Sequence, residues 1–98
     1  MDRDRIIATL RANEPELRAA GIMHLRLHGS AARGDTHPES DVDLIADLDA
    51  TKRLSLLDMV GLEQRLADML GAKVDLSPAS TLREPVAEKA AREAVLAF

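Results

Sequence analysis

Two aspartates placed two residues apart offer the clearest chemistry in this 98-residue chain. Asp41 and Asp43 stand at the start of an alternating apolar stretch, residues 42–47, that predicts a β-strand. Because side chains alternate between the two faces of a strand, both carboxylates point to the same face. Two carboxylates held in this way repel each other unless a cation lies between them, and hard oxygen donors favour Mg²⁺. The pair therefore predicts a metal site.

A turn of small residues, Gly29 and Ser30, directly follows a second predicted strand at residues 22–28. Backbone N–H groups in such a turn can face a phosphate, because glycine permits unusual dihedrals and has no side chain to block the approach. We expect residues 30–34 to form a short helical turn whose N-terminus adds its dipole to these donors. The predicted strand alternates cleanly, and three apolar residues share one face: Met23, Leu25 and Leu27.

The order of these residues resembles the signature of the DNA polymerase β-like nucleotidyltransferase superfamily: Gly29-Ser30, Arg33-Gly34 and Ser40-Asp41-x-Asp43-Leu44. The short form of that superfamily is the minimal nucleotidyltransferase (MNT) domain, the antitoxin partner of HEPN-domain toxins. The resemblance covers nearly the whole chain. It implies an α/β (α+β) nucleotidyltransferase fold, with a small mixed sheet of three to four strands flanked by helices. We expect a single domain over residues 1–98, because this length leaves no room for a second core.

The resemblance also implies the roles of individual residues. It implies a catalytic, metal-binding set of three carboxylates: Asp41, Asp43 and Asp75. These would hold two Mg²⁺ ions, and Asp75 would help to deprotonate the attacking hydroxyl. It implies four contacts to the nucleotide: Gly29, Ser30, Arg33 and Ser40. Arg33 has a second interpretation, in which it braces the loop through a buried ion pair.

The activity implied by the resemblance is transfer of AMP from ATP to a tyrosine of a paired HEPN ribonuclease toxin. Two alternatives stay open. The chain could be an antitoxin that acts by binding alone, or a small-molecule adenylyltransferase related to the antibiotic-modifying enzymes. The sequence does not determine which nucleotide is used, and ATP follows from the resemblance.

Composition disfavours several other classes of function. Aromatic residues are limited to one Phe, and the net charge is −4, so neither stacking nor a basic surface favours nucleic acid. No apolar run is long enough to span a membrane. The absence of cysteine is typical of a reducing compartment, and we expect a cytoplasmic protein. The hydrophobic fraction of 46% predicts a packed aliphatic core.

The remaining elements must position the candidate site. Helical spacing predicts helices at residues 2–10 and 15–20, a third from the capping box Ser55-Leu56-Leu57-Asp58 to Gly71, and a fourth from Glu84 to about Glu93. A short strand at residues 73–76 carries Asp75, and in a βαβ-like arrangement it returns beside the strand of Asp43. Residues 94–98 fit either a continued helix or a terminal strand, and the resemblance favours the strand.

Other polar residues near these elements have simpler interpretations. His28 could contact a nucleotide or merely end a strand, and three scattered histidines, with His24 and His37, do not form a zinc site. Asp47 shares the face of Asp41 and Asp43 but lies about 13 Å beyond Asp41 at the rise of a strand. We interpret it as a solvated carboxylate.

Overall fold

A mixed sheet of four strands forms the centre of the fold. The computed structural model describes residues 2–29, 32 and 41–98, apart from the side chains of Val86 and Ala90. The strands are β1 (Ile22–His28), β2 (Val42–Leu48), β3 (Val74–Pro78) and β4 (Val95–Leu96), in the spatial order β3-β2-β1-β4. β1 is antiparallel to β2 and β4, whereas β2 and β3 are parallel. This arrangement confirms the predicted mixed sheet of three to four strands.

Helices flank the sheet. Within the described residues they are α1 (Arg3–Ala12), α2 (Glu14–Ala19), α3 (Leu56–Leu70) and α4 (Glu84–Glu93), with 3-10 turns at Ala50–Lys52 and Ala79–Thr81. The four helices predicted from the sequence are confirmed to within a few residues. None of the helices formed by these residues is long and apolar enough to cross a membrane.

One face of the sheet is buried beneath α1, α2 and α3 in a single aliphatic core. Phe98, the only aromatic residue, lies in this core and is 8% exposed. The buried residues confirm the predicted aliphatic core. Removal of their apolar surface from water supplies the main driving force for folding. The large side chains with no exposed surface come from all of these elements: Ile6, Leu10, Leu17, Ile22, Leu25, Leu27 and Leu66.

Met23 departs from the predicted alternation of β1. The prediction placed it with Leu25 and Leu27 on the buried face, but its side chain is 47% exposed. The pairing of β1 with β2 shifts register between Ile22 and His24, so the chain inserts one extra residue there. Ile22 takes the buried position instead. The prediction for Met23 is therefore wrong, because a bulge interrupts the period of two.

The end of the chain forms β4 along the free edge of β1. Leu27 lies opposite Val95 in this antiparallel pairing. Beyond the strand, the Ala97 N–H donates a hydrogen bond of 2.8 Å to the Leu25 carbonyl. Arg11 Nε donates to the Ala97 carbonyl at 2.7 Å, which ties the chain end to α1. The chain end therefore forms the predicted terminal strand. It supplies hydrogen-bond partners to backbone groups of β1 that would otherwise lack them.

The capping box predicted at the start of α3 is present. The Ser55 side chain accepts a hydrogen bond of 3.1 Å from the Asp58 N–H, and the Asp58 carboxylate accepts one of 2.8 Å from the Ser55 N–H. Hydrogen bonding to the carboxyl of Asp58, first by the Ser55 N–H and then by the Ser55 hydroxyl, lowers the pKa of Asp58. At the other end, Gly71 adopts a left-handed conformation with φ of 64°. Both ends of the helix that connects β2 to β3 are thus determined locally.

Loss of the Ser55 cap should measurably destabilise the protein. We expect Ser55→Ala to lower the free energy of unfolding by about 1 kcal/mol, because the N–H of Asp58 loses its acceptor. Urea denaturation measures this difference. Ser80→Ala is the matched control, since the exposed Ser80 side chain makes no hydrogen bond within the described residues. Equal stability of the two variants would contradict the capping role.

Candidate active site

Asp43 and Asp75 lie opposite each other on the paired strands β2 and β3. The pairing is parallel because α3 carries the chain from the end of β2 back to the start of β3. Paired residues of parallel strands present their side chains to the same face, so the two carboxylates emerge side by side. Asp43 is half-buried, whereas Asp75 is exposed. The adjacency predicted from the sequence is confirmed.

Asp41 and Asp47 flank this pair along β2. Asp41 directly precedes the strand, is exposed, and its charge contributes to raising the pKa of Asp43. Asp47 lies near the far end of the strand, where its carboxylate accepts a hydrogen bond of 2.6 Å from Arg26 Nη1. The prediction of a solvated carboxylate at Asp47 is only partly right: its side chain is 35% exposed, but the fold places a guanidinium from β1 against it.

Gly29 brings the backbone against the carboxylate of Asp43. Its φ of +63° lies in the left-handed region, and an added Cβ would come within 2.7 Å of Asp43 Oδ2. Any other residue here would suffer both backbone strain and a clash. Glycine at this position therefore allows the turn to lie directly beside the Asp43 carboxylate. Several predicted features lie outside the described residues: Ser30, Arg33, Ser40 and the loop at residues 35–39.

His28 stands beside Asp43 on the other side of the pair. The two residues are opposite each other in the antiparallel pairing of β1 and β2. Within the described part of the chain, its Nε2 atom is buried and has no hydrogen-bond partner. A buried polar atom without a partner is costly unless a ligand or water satisfies it. The sequence left the role of His28 open, and the structure places it next to the carboxylates.

The environment of Asp43 disfavours its charge. Burial raises its pKa first, and the charges of Asp75 and Asp41 raise it further. The nearby His28 partly offsets these effects by lowering the pKa. A cation bound among the three carboxylates would therefore reduce the repulsion between them.

The donor atoms of this site suit a magnesium ion that is shared with a phosphate. Residues 2–29, 32 and 41–98 contain no group of three His, Asp or Glu side chains placed closely enough to hold a metal ion by themselves. Mg²⁺ does not require such a cage, because it is usually bound through one or two carboxylates together with waters and substrate phosphates. Asp41, Asp43 and Asp75 supply hard oxygen donors of this kind. The site thus fits a cation that arrives with a nucleotide.

Sequence reasoning missed two residues that border the site. Glu63 of α3 accepts a hydrogen bond of 2.9 Å from the Leu76 N–H, which anchors edge strand β3 next to Asp75. Lys73 lines a surface hollow of about 390 Å³ that also contains Asp41 and Asp75. Neither had a recognisable signal in the sequence, since Glu63 reads as an ordinary surface position of a helix.

A mixed sheet that presents paired carboxylates beside a glycine turn is the arrangement of a nucleotidyl-transfer enzyme. The comparison with protein families agrees, since the family model described as "Nucleotidyltransferase domain" matches residues 8–97. The chain belongs to this family and is a nucleotidyltransferase.

Individual proteins show the same similarity. The chain is 36% identical over 93 residues to the protein adenylyltransferase MntA of Thermococcus cleftensis, a match that covers 94% of this chain and 92% of the relative. Among solved structures, a minimal nucleotidyltransferase superposes with a TM-score of 0.83 at 30% identity, covering 97% of this chain and 95% of that one. The superposition confirms the predicted nucleotidyltransferase fold.

A more distant structure has the same fold. It is a tri-AMPylated HEPN toxin of Shewanella oneidensis in complex with its MNT antitoxin. Its matching chain superposes with a TM-score of 0.62 at 21% identity, covering 98% of this chain and 68% of that one. At this identity the similarity concerns the fold alone.

Removal of the Asp43 charge should stabilise the protein when no metal is present. The raised pKa means that the folded state disfavours the ionised carboxylate, so ionisation above that pKa costs stability. We expect Asp43→Asn to have the higher Tm at pH 7 in EDTA. The gain should vanish as the pH falls below about 4, where the wild-type carboxyl is protonated in both folded and unfolded states.

Thermal unfolding followed by circular dichroism across this pH range tests the prediction. Asp4→Asn is the control, because it makes the same change at an exposed position of α1. It should not raise the Tm. A lower Tm for Asp43→Asn at every pH would show that Asp43 is not electrostatically strained.

Proposed function

We propose that this chain is a Mg²⁺-dependent protein adenylyltransferase. It transfers AMP from ATP to a tyrosine of a HEPN-type toxin and thereby acts as the antitoxin. The observation that carries the proposal is the pairing of Asp43 with Asp75, with Gly29 in contact with Asp43. A triphosphate needs both features together, because it brings bound cations and several negative oxygens into the same small space.

In this proposal, Asp41, Asp43 and Asp75 hold two Mg²⁺ ions. When bound, the ions neutralise the triphosphate and help to orient its reacting phosphate. The backbone at Gly29 and Ser30 binds the β- and γ-phosphates, because the left-handed Gly29 has no side chain to block their approach. Two further residues contact the nucleotide: Arg33 and Ser40.

In this proposal the incoming acceptor meets Asp75, which is exposed on edge strand β3. Asp75 takes the proton from the attacking tyrosine hydroxyl. The tyrosine oxygen then forms a bond to the α-phosphorus, and pyrophosphate leaves. Positioning and stabilisation of charge provide most of the rate enhancement, so the rigidity of β2 and β3 matters to catalysis.

The similar proteins support the choice of AMP and of a protein acceptor. The Thermococcus relative, at 36% identity, is a protein adenylyltransferase. The Shewanella antitoxin is found with a HEPN toxin that carries AMP. The order of motifs in the present chain resembles that of the MNT antitoxins. Its nucleotide and its partner are inferred from this resemblance.

An exposed apolar surface at the start of α3 supports a protein acceptor over a small molecule. Leu56, Leu57 and Val60, here called the α3 surface, are 83%, 80% and 58% exposed. Large apolar side chains grouped in this way mark surfaces that bind other proteins. Val60 also borders the hollow that contains Asp41 and Asp75. A protein seated on the α3 surface would therefore reach the carboxylates.

The transfer reaction itself is the decisive test. The chain is incubated with its partner toxin, Mg²⁺ and ATP, and intact-mass spectrometry measures additions of AMP to the toxin. We expect Asp43→Asn to slow transfer by about a hundredfold or more, because it removes a negatively charged ligand for the Mg²⁺ that would stabilise negative charge on the phosphates. Asp4→Asn, which makes the same change at an exposed position of α1, should keep the wild-type rate. If Asp43→Asn neutralises the toxin without adding mass, the antitoxin acts by binding alone.

A second test addresses the α3 surface. We expect the double variant Leu57→Ser, Val60→Ser to raise the KM for the toxin by about tenfold or more, because truncated anchor residues weaken an interface by this amount. The kcat should stay near the wild-type value, since both side chains are largely exposed and neither is one of the candidate catalytic carboxylates. Leu96→Ser is the control: Leu96 is 49% exposed but lies on β4, at the opposite edge of the sheet from β3. An unchanged KM in the double variant would place the acceptor elsewhere.

A further inference from the structure

A hollow lies between α4 and the face of the sheet that carries the carboxylates. Its volume is about 320 Å³, and it is here called the α4 hollow. Its floor is formed by Arg26 and Ile45, and its walls are mostly small or aliphatic: Ala79, Leu82, Ala87, Ala91 and Ala94. α4 crosses this face because it links edge strand β3 to β4 at the other edge. Within the described residues, no side-chain hydrogen bond or ion pair ties α4 to the sheet.

The α4 hollow lies one step along β2 from the candidate active site. Asp43 and Ile45 are two residues apart, so they share a face and are separated by about 6.6 Å along the strand. Ile45 is only 5% exposed, although it lies on the face opposite the main core. The acidic end of this face and the apolar hollow are therefore neighbouring parts of one surface.

We propose that the α4 hollow binds the purine base of the nucleotide substrate. This inference rests on the proposed function, since it takes the triphosphate to lie at Gly29 and the α-phosphorus near Asp43. With the phosphates at that end, the ribose bridges the short step from Asp43 towards Ile45. The base then enters a concave, mainly apolar site with few polar groups, as is usual for such ligands.

The composition of the chain leaves few other ways to bind a base. There is no Tyr or Trp, and the single Phe lies in the main core. No Phe, Tyr or Trp ring is therefore free to stack on the base within the described residues. Aliphatic side chains can sandwich a flat ring instead, and the small size of Ala87 and Ala91 leaves room for a two-ring base between helix and sheet.

Arg26 provides the polar group of this subsite. Its Nη1 atom donates a hydrogen bond of 2.6 Å to Asp47, which holds one end of the guanidinium at the floor of the hollow. A fixed guanidinium can stack on a ring or donate to its acceptor nitrogens. The Arg26–Asp47 ion pair thus acquires a function as a positioned base-contact group.

The hollow between β2 and the 3-10 turn at Ala50–Lys52 is a weaker candidate for the base. It is lined by Asp47, Asp49 and Arg53 and lies at the opposite end of β2 from Asp43. The hollow with Asp41 and Asp75 lies beside the α3 surface, where the acceptor docks in the proposed function.

Filling the α4 hollow tests the proposal. We measure by calorimetry, with Mg²⁺ present, the binding of ATP, CTP and tripolyphosphate, which has no base. The wild type should bind ATP more tightly than CTP. Ala87→Leu should weaken ATP binding by about tenfold or more and reduce the preference over CTP, because the larger side chain occupies the place of the base. Binding of tripolyphosphate should change by less than about twofold.

Ala8→Leu is the matched control, since it makes the same substitution at an exposed position of α1. It should leave all three affinities unchanged. If Ala87→Leu also loses tripolyphosphate binding, the variant has disturbed the fold, and Ala91→Leu at the more exposed rim of the hollow decides the question by the same measurements.

The outcomes separate this inference from the proposed function. If the wild type transfers AMP in an Asp43-dependent manner but Ala87→Leu and Ala91→Leu bind ATP as the wild type does, the base lies elsewhere and only the subsite is wrong. If the wild type binds neither ATP nor tripolyphosphate, the proposed function fails and the purine subsite fails with it.

Discussion

The repulsion between the carboxylates of Asp43 and Asp75 is the constraint on which the rest of the structure depends. Burial raises the pKa of Asp43, and the charge of Asp75, which parallel pairing of β2 and β3 places opposite it, raises that pKa further. A fold selected for stability alone would separate or neutralise these groups. The chain keeps them together, so the apolar core on the other face of the sheet must offset the cost of holding them.

The scaffold around the pair makes this arrangement rigid. The capping box at Ser55 and the left-handed Gly71 determine both ends of α3, the helix that makes the parallel crossover possible. Glu63 then binds the backbone of β3 at Leu76, one residue beyond Asp75. An edge strand is otherwise the least constrained part of a sheet. Helix, hydrogen bond and strand register together keep one carboxylate in place beside the other.

One face of the sheet stabilises the fold, and the other carries the candidate active site. Aliphatic side chains of α1, α2 and α3 cover one face, and the other carries the carboxylates at one end and the α4 hollow at the next step. A domain of this length has little surface to spare. Placing a charged site and an apolar hollow two residues apart on β2 lets one strand serve both the phosphates and the base in the proposed enzyme.

The sequence by itself determined the local features of this protein. Alternation predicted the strands β1 and β2, and the capping residues predicted both ends of α3. Asp75 could be placed beside Asp43 because a strand, helix and strand in succession have few arrangements. These predictions succeeded because each depends on the chemistry of neighbouring residues or on a short connection.

Only the tertiary structure decided which distant side chains meet. The bulge that exposes Met23, the ion pair of Arg26 with Asp47 and the hydrogen bond of Glu63 to Leu76 all depend on register between segments. The α4 hollow likewise exists only because a helix crosses the sheet without filling the space beneath it. Periodicity specifies the face on which a side chain lies, but it does not specify which residue of another segment lies next to that side chain. These features therefore required the structure.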